Sequence, residues 1–285
     1  MSEGDGCTME KLIRDEIICF VLGHPGNHLP ESDTPYLDEP QVGFSSAADP
    51  LFEEYKRIIG PFHLLPEELL SGAATVISWV LPINRTVRES NRKQTDLPSL
   101  EWALTRTHGE VINGDLRRHM AAWLETQGYL AAAPQYSALW KEFGDTPVGI
   151  ASSWSERHAA YVAGLGTFSL SDGFITSRGI AHRIGSVITT LPLNPTQRTF
   201  KGHHSNCLHY HDGSCGACIA RCPVGAITRS GHDKYRCREL VYGTAPKKLS
   251  EQYGTPQTGC GLCQTKVPCE AEIPSACRIP LELKH

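Results

Sequence analysis

The chain has 285 residues, of which 40% are hydrophobic and 20% charged, and its net charge is −4. This length suits two domains better than one, and the mild acidity argues against the broad cationic surface that nucleic-acid proteins present. No apolar run approaches the ~20 residues of a membrane helix, and the acidic, polar start MSEGDGCTMEKL lacks the basic and apolar stretches of a signal peptide, so the cytoplasm is the expected compartment.

In chain order, residues 24–50 are rich in Pro, Gly and acidic side chains and are expected to form a surface loop. DPLFEEYKRIIG then reads as a helix: Asp49 caps it, Pro50 sits in the first turn, Leu51, Tyr55, Ile58 and Ile59 give an apolar stripe, and Gly60 stops it. TVISWVLPI, Thr75 to Ile83, is a β-branched and aromatic run of the buried-strand type. DLRRHMAAWLETQG places Leu116, Met120, Trp123 and Leu124 on one helical face and ends at Gly128.

Val148–Ala151 is predicted as a strand, and Ser153-Trp-Ser-Glu156 as a capping box. The small residues Ala159, Ala160 and Ala163 favour close packing of the helix that follows. Gly164-Leu-Gly166 then makes a tight turn whose backbone can approach another group closely. RIGSVITT reads as a second strand. The Pro-containing stretch Leu191–Phe200 is expected to link two domains, 1–200 and 201–285. Mixed α and β structure is expected in the first.

Eleven cysteines are unevenly placed: Cys7 and Cys19 stand alone, and nine fall between 207 and 277. Disulfides are disfavoured in a reducing compartment, so this block reads as metal ligation. CLHYHDGSCGACIARCP ends in Cys-x2-Cys-x3-Cys-Pro, the close of a bacterial ferredoxin run, but Asp212 stands where that run has its first cysteine. Cys207 is positioned to loop back and take that place. A crossed pattern then assigns Cys207, Cys215, Cys218 and Cys269 to one [4Fe–4S] cluster, and Cys222, Cys237, Cys260 and Cys263 to a second.

Zinc also accepts four thiolates with Cys-x2-Cys steps, although Cys222-Pro223 followed by Val-Gly-Ala-Ile matches a ferredoxin and not a zinc ribbon. Cys277 is the reserve ligand for Cys269, and Cys7, Cys19 and Cys277 are otherwise expected to be small buried hydrophobes. His203, His204, His209 and His211 are expected in a solvated loop, with a hydrogen bond to a cluster sulfur as the alternative.

The segment WSERHAAYVAGLGTF resembles the Glu-Arg-Ala…Ala-Gly-Leu-Gly segment of the epoxyqueuosine reductase family, relatives of the reductive dehalogenases, and a ferredoxin module with a late Cys-x2-Cys follows it there too. The resemblance covers roughly residues 70 to 270. It implies a nitroreductase-like α/β (α+β) domain that holds cobalamin, followed by a small two-cluster ferredoxin-like domain. It also makes Gly164, Gly166, Thr167 and Ser169 candidates for the face against the macrocycle, with Arg157 and Arg178 as partners for its amide or phosphate oxygens. FMN is the alternative occupant.

The family places an aspartate proton donor about six residues before the Glu-Arg pair, where this chain has Ile150. Asp145, Ser153 and His108 are the candidate replacements, with Ser152 and Tyr129 behind them. The expected activity is a reductase that passes electrons from the clusters to a base-off corrinoid and cleaves a C–O or C–halogen bond of a small molecule or modified nucleoside, fed by a ferredoxin- or flavodoxin-like donor. The charge balance favours a small-molecule substrate over transfer RNA. A flavin-binding iron–sulfur oxidoreductase, and an electron-transfer or corrinoid-reducing protein without a substrate of its own, are the alternatives.

Overall fold

The computed structural model describes residues 8–278. Along the chain come α1 (Met9–Gly23), β1 (Gln41–Ser46), α2 (Pro50–Ile58), α3 (Pro66–Leu69), β2 (Thr75–Pro82), α4 (Arg85–Arg92), α5 (Leu100–Thr126), β3 (Ala131–Ala132), β4 (Glu142–Phe143), β5 (Ala151–Ser152), α6 (Glu156–Val162), β6 (Gly166–Phe168), β7 (Phe174–Thr176) and β8 (His182–Thr189). The cysteine-rich part adds α7 (Leu208–Asp212), α8 (Ala217–Arg221), β9 (Ile227–Thr228), β10 (Gly231–His232), α9 (Lys234–Arg238), a π-helical turn over Glu239–Thr244, and α10 (Ala245–Tyr253). No helix among the described residues is long and apolar enough to cross a membrane.

The first lobe is built on an antiparallel sheet of order β1-β2-β8-β3. β2 is buried along its whole length, because alternate side chains serve opposite layers. Ile77, Trp79 and Leu81 pack with Ile13 and Ile17 of α1 and with Ile112, Leu116, Met120 and Leu124 of α5. On the other side Val76 and Ile188 meet Phe52 and Tyr55 of α2, Trp154, and Ala159 and Val162 of α6. A third, smaller cluster joins Ile175 and Ile180 to Ile227, Val267 and Cys207 of the cysteine-rich part. The stretch between β8 and α7 carries no helix or strand.

Several local expectations are met. Asp49 caps α2 by accepting from Leu51 N at 3.0 Å, and Gly164 closes α6 with φ of 75°. Others are corrected. The loop expected over 24–50 contains β1, which pairs in register with β2 from Gln41↔Val80 to Ser46↔Thr75. α5 is 27 residues long and starts at Ser99, whose hydroxyl accepts from Trp102 N, so the predicted helix is only its second half. Gly109 and Gly114 weaken the helical signal upstream, and tertiary contacts override it: Gly114 lies under the Tyr136 hydroxyl and Gly109 against Leu37.

The strand over Val148–Ala151 is reduced to Ala151–Ser152, paired with Glu142–Phe143. The capping box does not form. α6 is preceded by Ser155, while Ser153 accepts from Lys141 N at 2.9 Å and donates to Leu139 O at 3.2 Å. Glu156 turns inward instead, accepting from Ser186 Oγ at 2.5 Å with Arg117 Nη2 at 3.3 Å. Cys19 is exposed on α1 rather than buried, and Cys7 lies outside the described residues.

Candidate metal centre and cofactor cavity

The detour between Cys207 and Cys215 is one helical turn, α7, closed by Gly213 with φ of 74°. A left-handed residue reverses the chain cheaply only when it is glycine, and here it returns Cys215 beside Cys207. Cys207, Cys215, Cys218 and Cys269 line one small apolar cavity under Ile175 and Ile180. Ile180 N donates to Cys269 O at 2.9 Å, which ties the distant fourth cysteine to the start of β8.

The electrostatic neighbours of the thiols divide in the same way. Burial pushes Cys218 up to about 11, with Cys207 and Cys215 adding to the effect. Cys269 is raised by burial and then by Cys207, Cys218 and Cys215. Burial also pushes Cys260 up to about 11, while the Leu262 backbone opposes the shift and Cys237 and Cys222 reinforce it. Cys263 is raised by burial first, then by Cys260, Cys237, Cys218 and Cys222, and it also lines the first cavity. The two groups of four therefore approach each other at Cys263 and Cys218. Thiols that repel one another's ionisation in a buried space are stabilised when iron supplies the opposing charge.

The thiol donor set fits iron–sulfur ligation. Ala226 N donates to Cys222 Sγ at 3.2 Å, the kind of amide contact that stabilises a thiolate.

The two parts are held by a dense seam. Arg221, next to Cys222, gives Nη1 to Gln94 O at 2.7 Å, Nε to Thr265 O at 3.1 Å and Nη2 to Asn91 O at 3.3 Å. Asn91 Nδ2 in turn reaches Cys260 O at 3.2 Å. Gly179 must be glycine, since a Cβ there would stand 2.2 Å from Glu270 O. None of Arg221, Asn91 and Glu270 stands out in the sequence, because each acts on a partner far along the chain.

A second, open cavity of about 920 Å³ lies beside the first. Gly164, Gly166, Lys201, His204, Tyr210 and Arg278 are among its walls, and among the described residues no Asp or Glu is. Gly164 and Gly166 thus line an open cavity. Thr167 and Ser169 do not face it. Thr167 is buried and accepts from Asn206 N at 2.9 Å, while Ser169 lines the cysteine cavity and meets Ser171 Oγ at 3.0 Å.

Arg157 and Arg178 are also outside it. Arg157 is spent on the Asp172 carbonyl, and Arg178 is exposed with Asp38 3.9 Å away. Cys277 lines the large cavity, and Cys269 the cysteine one. His203 is exposed as expected, but His204 is half-buried and stacked on Tyr210 at 3.8 Å.

The three candidate acids are dispersed. His108 is exposed on α5 and stacks on Tyr36 at 5.4 Å. Ser153 is buried in the β4–β5 pairing, its hydroxyl engaged twice. Asp145 is exposed in the loop between β4 and β5. That loop is latched to α9: Lys234 Nζ donates to Val148 O at 2.7 Å and to Ile150 O at 3.3 Å, Tyr235 donates to Gly144 O at 2.8 Å, and Arg238 pairs with Glu142 at 2.8 Å.

No family model matches the chain. An epoxyqueuosine reductase of Bacillus anthracis is 30% identical over 119 residues, which span 40% of this chain and 29% of that relative. Among solved structures, a catabolic reductive dehalogenase superposes with a TM-score of 0.54 at 17% identity, covering 84% of this chain and 31% of its own. An epoxyqueuosine reductase of Bacillus subtilis gives 0.47 at 17% identity, over 93% of this chain and 69% of that one. The chain is thus a mixed α/β protein that shares the dehalogenase fold, and the relatives found are those to which its Glu-Arg…Gly-Leu-Gly segment pointed.

Proposed function

We propose that this chain is an iron–sulfur oxidoreductase in which two [4Fe–4S] clusters pass electrons to a corrinoid held beside the Gly164–Gly166 turn, for reductive cleavage of a C–O or C–halogen bond in a small molecule. The observation that carries this reading is the sorting of eight cysteines into two groups that meet at Cys263, with a large cavity next to the first group. The similarity to an epoxyqueuosine reductase supports the reaction class, as does the shared fold with a dehalogenase described as B12-dependent. When bound and reduced, the corrinoid supplies a strong nucleophile and reductant.

The chain's own contribution is to insulate and position. Cys207, Cys215, Cys218 and Cys269 would hold the cluster nearer Ile175 and Ile180, and Cys222, Cys237, Cys260 and Cys263 the other. The side-chain-free backbone at Gly164 and Gly166 leaves room for a flat ring. The absence of acidic walls suits a group carrying phosphate. A net charge of −4 favours a small substrate over transfer RNA. A ferredoxin- or flavodoxin-like protein would donate the electrons.

One observation favours a second reading: Asp145, Ser153 and His108 do not line the large cavity. A corrinoid-reducing protein without an organic substrate needs no proton donor there. Anaerobic purification with iron and sulfide counts, followed by parallel titrations with cobalamin and FMN, tests the proposal. Two clusters and cobalamin uptake are expected. Zinc in place of iron, or uptake of FMN alone, overturns it. Reduction of a partner's corrinoid without turnover of any organohalide or epoxide selects the second reading.

A further inference from the structure

One member of the second cysteine group, Cys237, sits on a helix that meets the surface. Glu239 and Ala245 keep right-handed helical dihedrals at the junctions of α9, the π-helical turn and α10. Lys234 to Tyr253 is therefore one unbroken rod, with Leu240, Ala245 and Leu249 on its buried side. Cys237 stands between Arg236 and Arg238, and both arginines are exposed. So are Tyr235, Tyr242, Lys247 and Lys248. Tyr235, Arg238 and Tyr242 recur at helical spacing, and the Arg238 guanidinium lies over the Tyr242 ring at 5.2 Å. Tyr235 donates to Gly144 O and Arg238 pairs with Glu142, each at 2.8 Å, so this face is held in place against the β4–β5 loop.

Charge sets this stretch apart. Residues 229–253 carry six Lys or Arg against three Asp or Glu, in a chain whose net charge is −4. The remainder is thus more acidic than the whole. Asp233 is taken up by the helix it caps, accepting from Tyr235 N and Arg236 N at 3.0 Å each, which leaves Glu239 and Glu251 as the exposed acids of the rod. An acidic partner is repelled by the rest of the molecule and drawn here. Exposed tyrosines among arginines are also the side chains that protein interfaces favour.

We propose that this face, centred on Tyr235, Arg236, Arg238 and Tyr242, docks an acidic electron-carrier protein of the ferredoxin type that gives electrons to the second cysteine group at Cys237. The first group lies beside the large cavity, which leaves the second as the end where electrons enter. One electron leaves the carrier, which is oxidised, and enters the iron held by the second group, which is reduced; no bond forms or breaks. The inference rests on the iron–sulfur reading above and adds to it the place and charge of the partner.

The test uses the anaerobically purified, iron-loaded chain and an acidic bacterial two-cluster ferredoxin. Calorimetry reads binding, and stopped-flow bleaching reads electron entry from the reduced ferredoxin. Both are expected to weaken as salt rises. Arg236→Glu combined with Lys248→Glu should slow the second-order bleaching at low salt by about tenfold or more, while dithionite bleaches variant and wild type alike. Arg57→Glu, on α2 of the other lobe, should leave the rate unchanged. Should the double variant lose iron, Glu239→Lys supplies the opposite arm and must raise the rate. Binding indifferent to salt and to these substitutions, or electron entry from an acidic flavodoxin but not from ferredoxin, overturns the docking proposal alone. A chain that takes up no iron overturns it together with the reading beneath it.

Discussion

Arg92 on α4 donates Nε to the carboxylate of Glu270 at 2.7 Å, and Glu270 is only 3% exposed. Arg88 Nη1 approaches the same group at 3.3 Å, and Lys266 N donates to it at 2.7 Å. Glu270 directly follows Cys269, so the fourth cysteine of the first group is held in place by a charge network rooted in the other lobe. Removing one member of a buried pair leaves the other charge uncompensated and costs ~3–5 kcal/mol. Glu270→Ala is therefore expected to lower unfolding free energy by about that much in denaturant melts. It should also reduce iron content ahead of global unfolding. Unchanged stability would show that the seam is not held there.

Cysteine substitution separates the two groups. Cys207→Ala is expected to lose roughly half the iron and sulfide, because a cubane needs four thiolates and each group has only four. Cys237→Ala should lose the other half, and the double variant nearly all. Elemental analysis reads these outcomes. Full iron in Cys207→Ala would contradict the grouping.

The latch between Lys234 and the β4–β5 loop predicts a local effect. Its two carbonyl contacts are charge-assisted, and such bonds are each worth ~1.5–3 kcal/mol. Lys234→Ala is expected to raise hydrogen exchange over residues 144–150 by about tenfold, or ~1.4 kcal/mol of local opening. β2 should stay protected. Uniform exchange across both segments would mean that the change acts on the whole fold.

Acid should weaken the protein through buried neutral histidines. His63 is buried; it accepts from Ser155 N at 3.3 Å, and burial, with Lys56 second, holds its pKa at about 4. In the unfolded chain it binds its proton near pH 6.5. Between those values the unfolded state holds the extra proton, so stability falls as pH drops through the window and levels off below about 4. The loss amounts to ~3 kcal/mol for this residue. His182 (about 4) and His158 (about 3) act in the same direction. Denaturant melts at pH 7 and near pH 4.5 should show a smaller acid loss in His63→Gln than in the wild-type chain. Equal losses would assign the acid sensitivity elsewhere.

Local chemistry was readable from the chain. Asp49 and Pro50 start a helix, Gly164 ends one, and Thr75–Pro82 is a strand buried on both faces, because each of these signals is complete within a few residues. The short steps around Cys215, Cys218 and Cys222 are equally self-contained. Where partners lie far apart in sequence, the reading failed. Ser153 fills a strand pairing with Lys141 and Leu139 instead of capping α6, and Arg157 turns to Asp172 rather than to the large cavity.

By itself, then, the sequence determined that nine cysteines crowd the C-terminal part in the short steps that metal ligands take, and that a glycine turn precedes them, since spacing and residue type carry that information. Only the tertiary structure decided that Cys269 lines the same cavity as Cys207 while Cys277 lines the other, that Glu270 is gripped by α4, and that His204 stacks on Tyr210 at the wall of the large cavity. Those outcomes depend on packing between segments separated by tens to hundreds of residues, where burial and hydrogen-bond satisfaction select the partner and no local pattern records the choice.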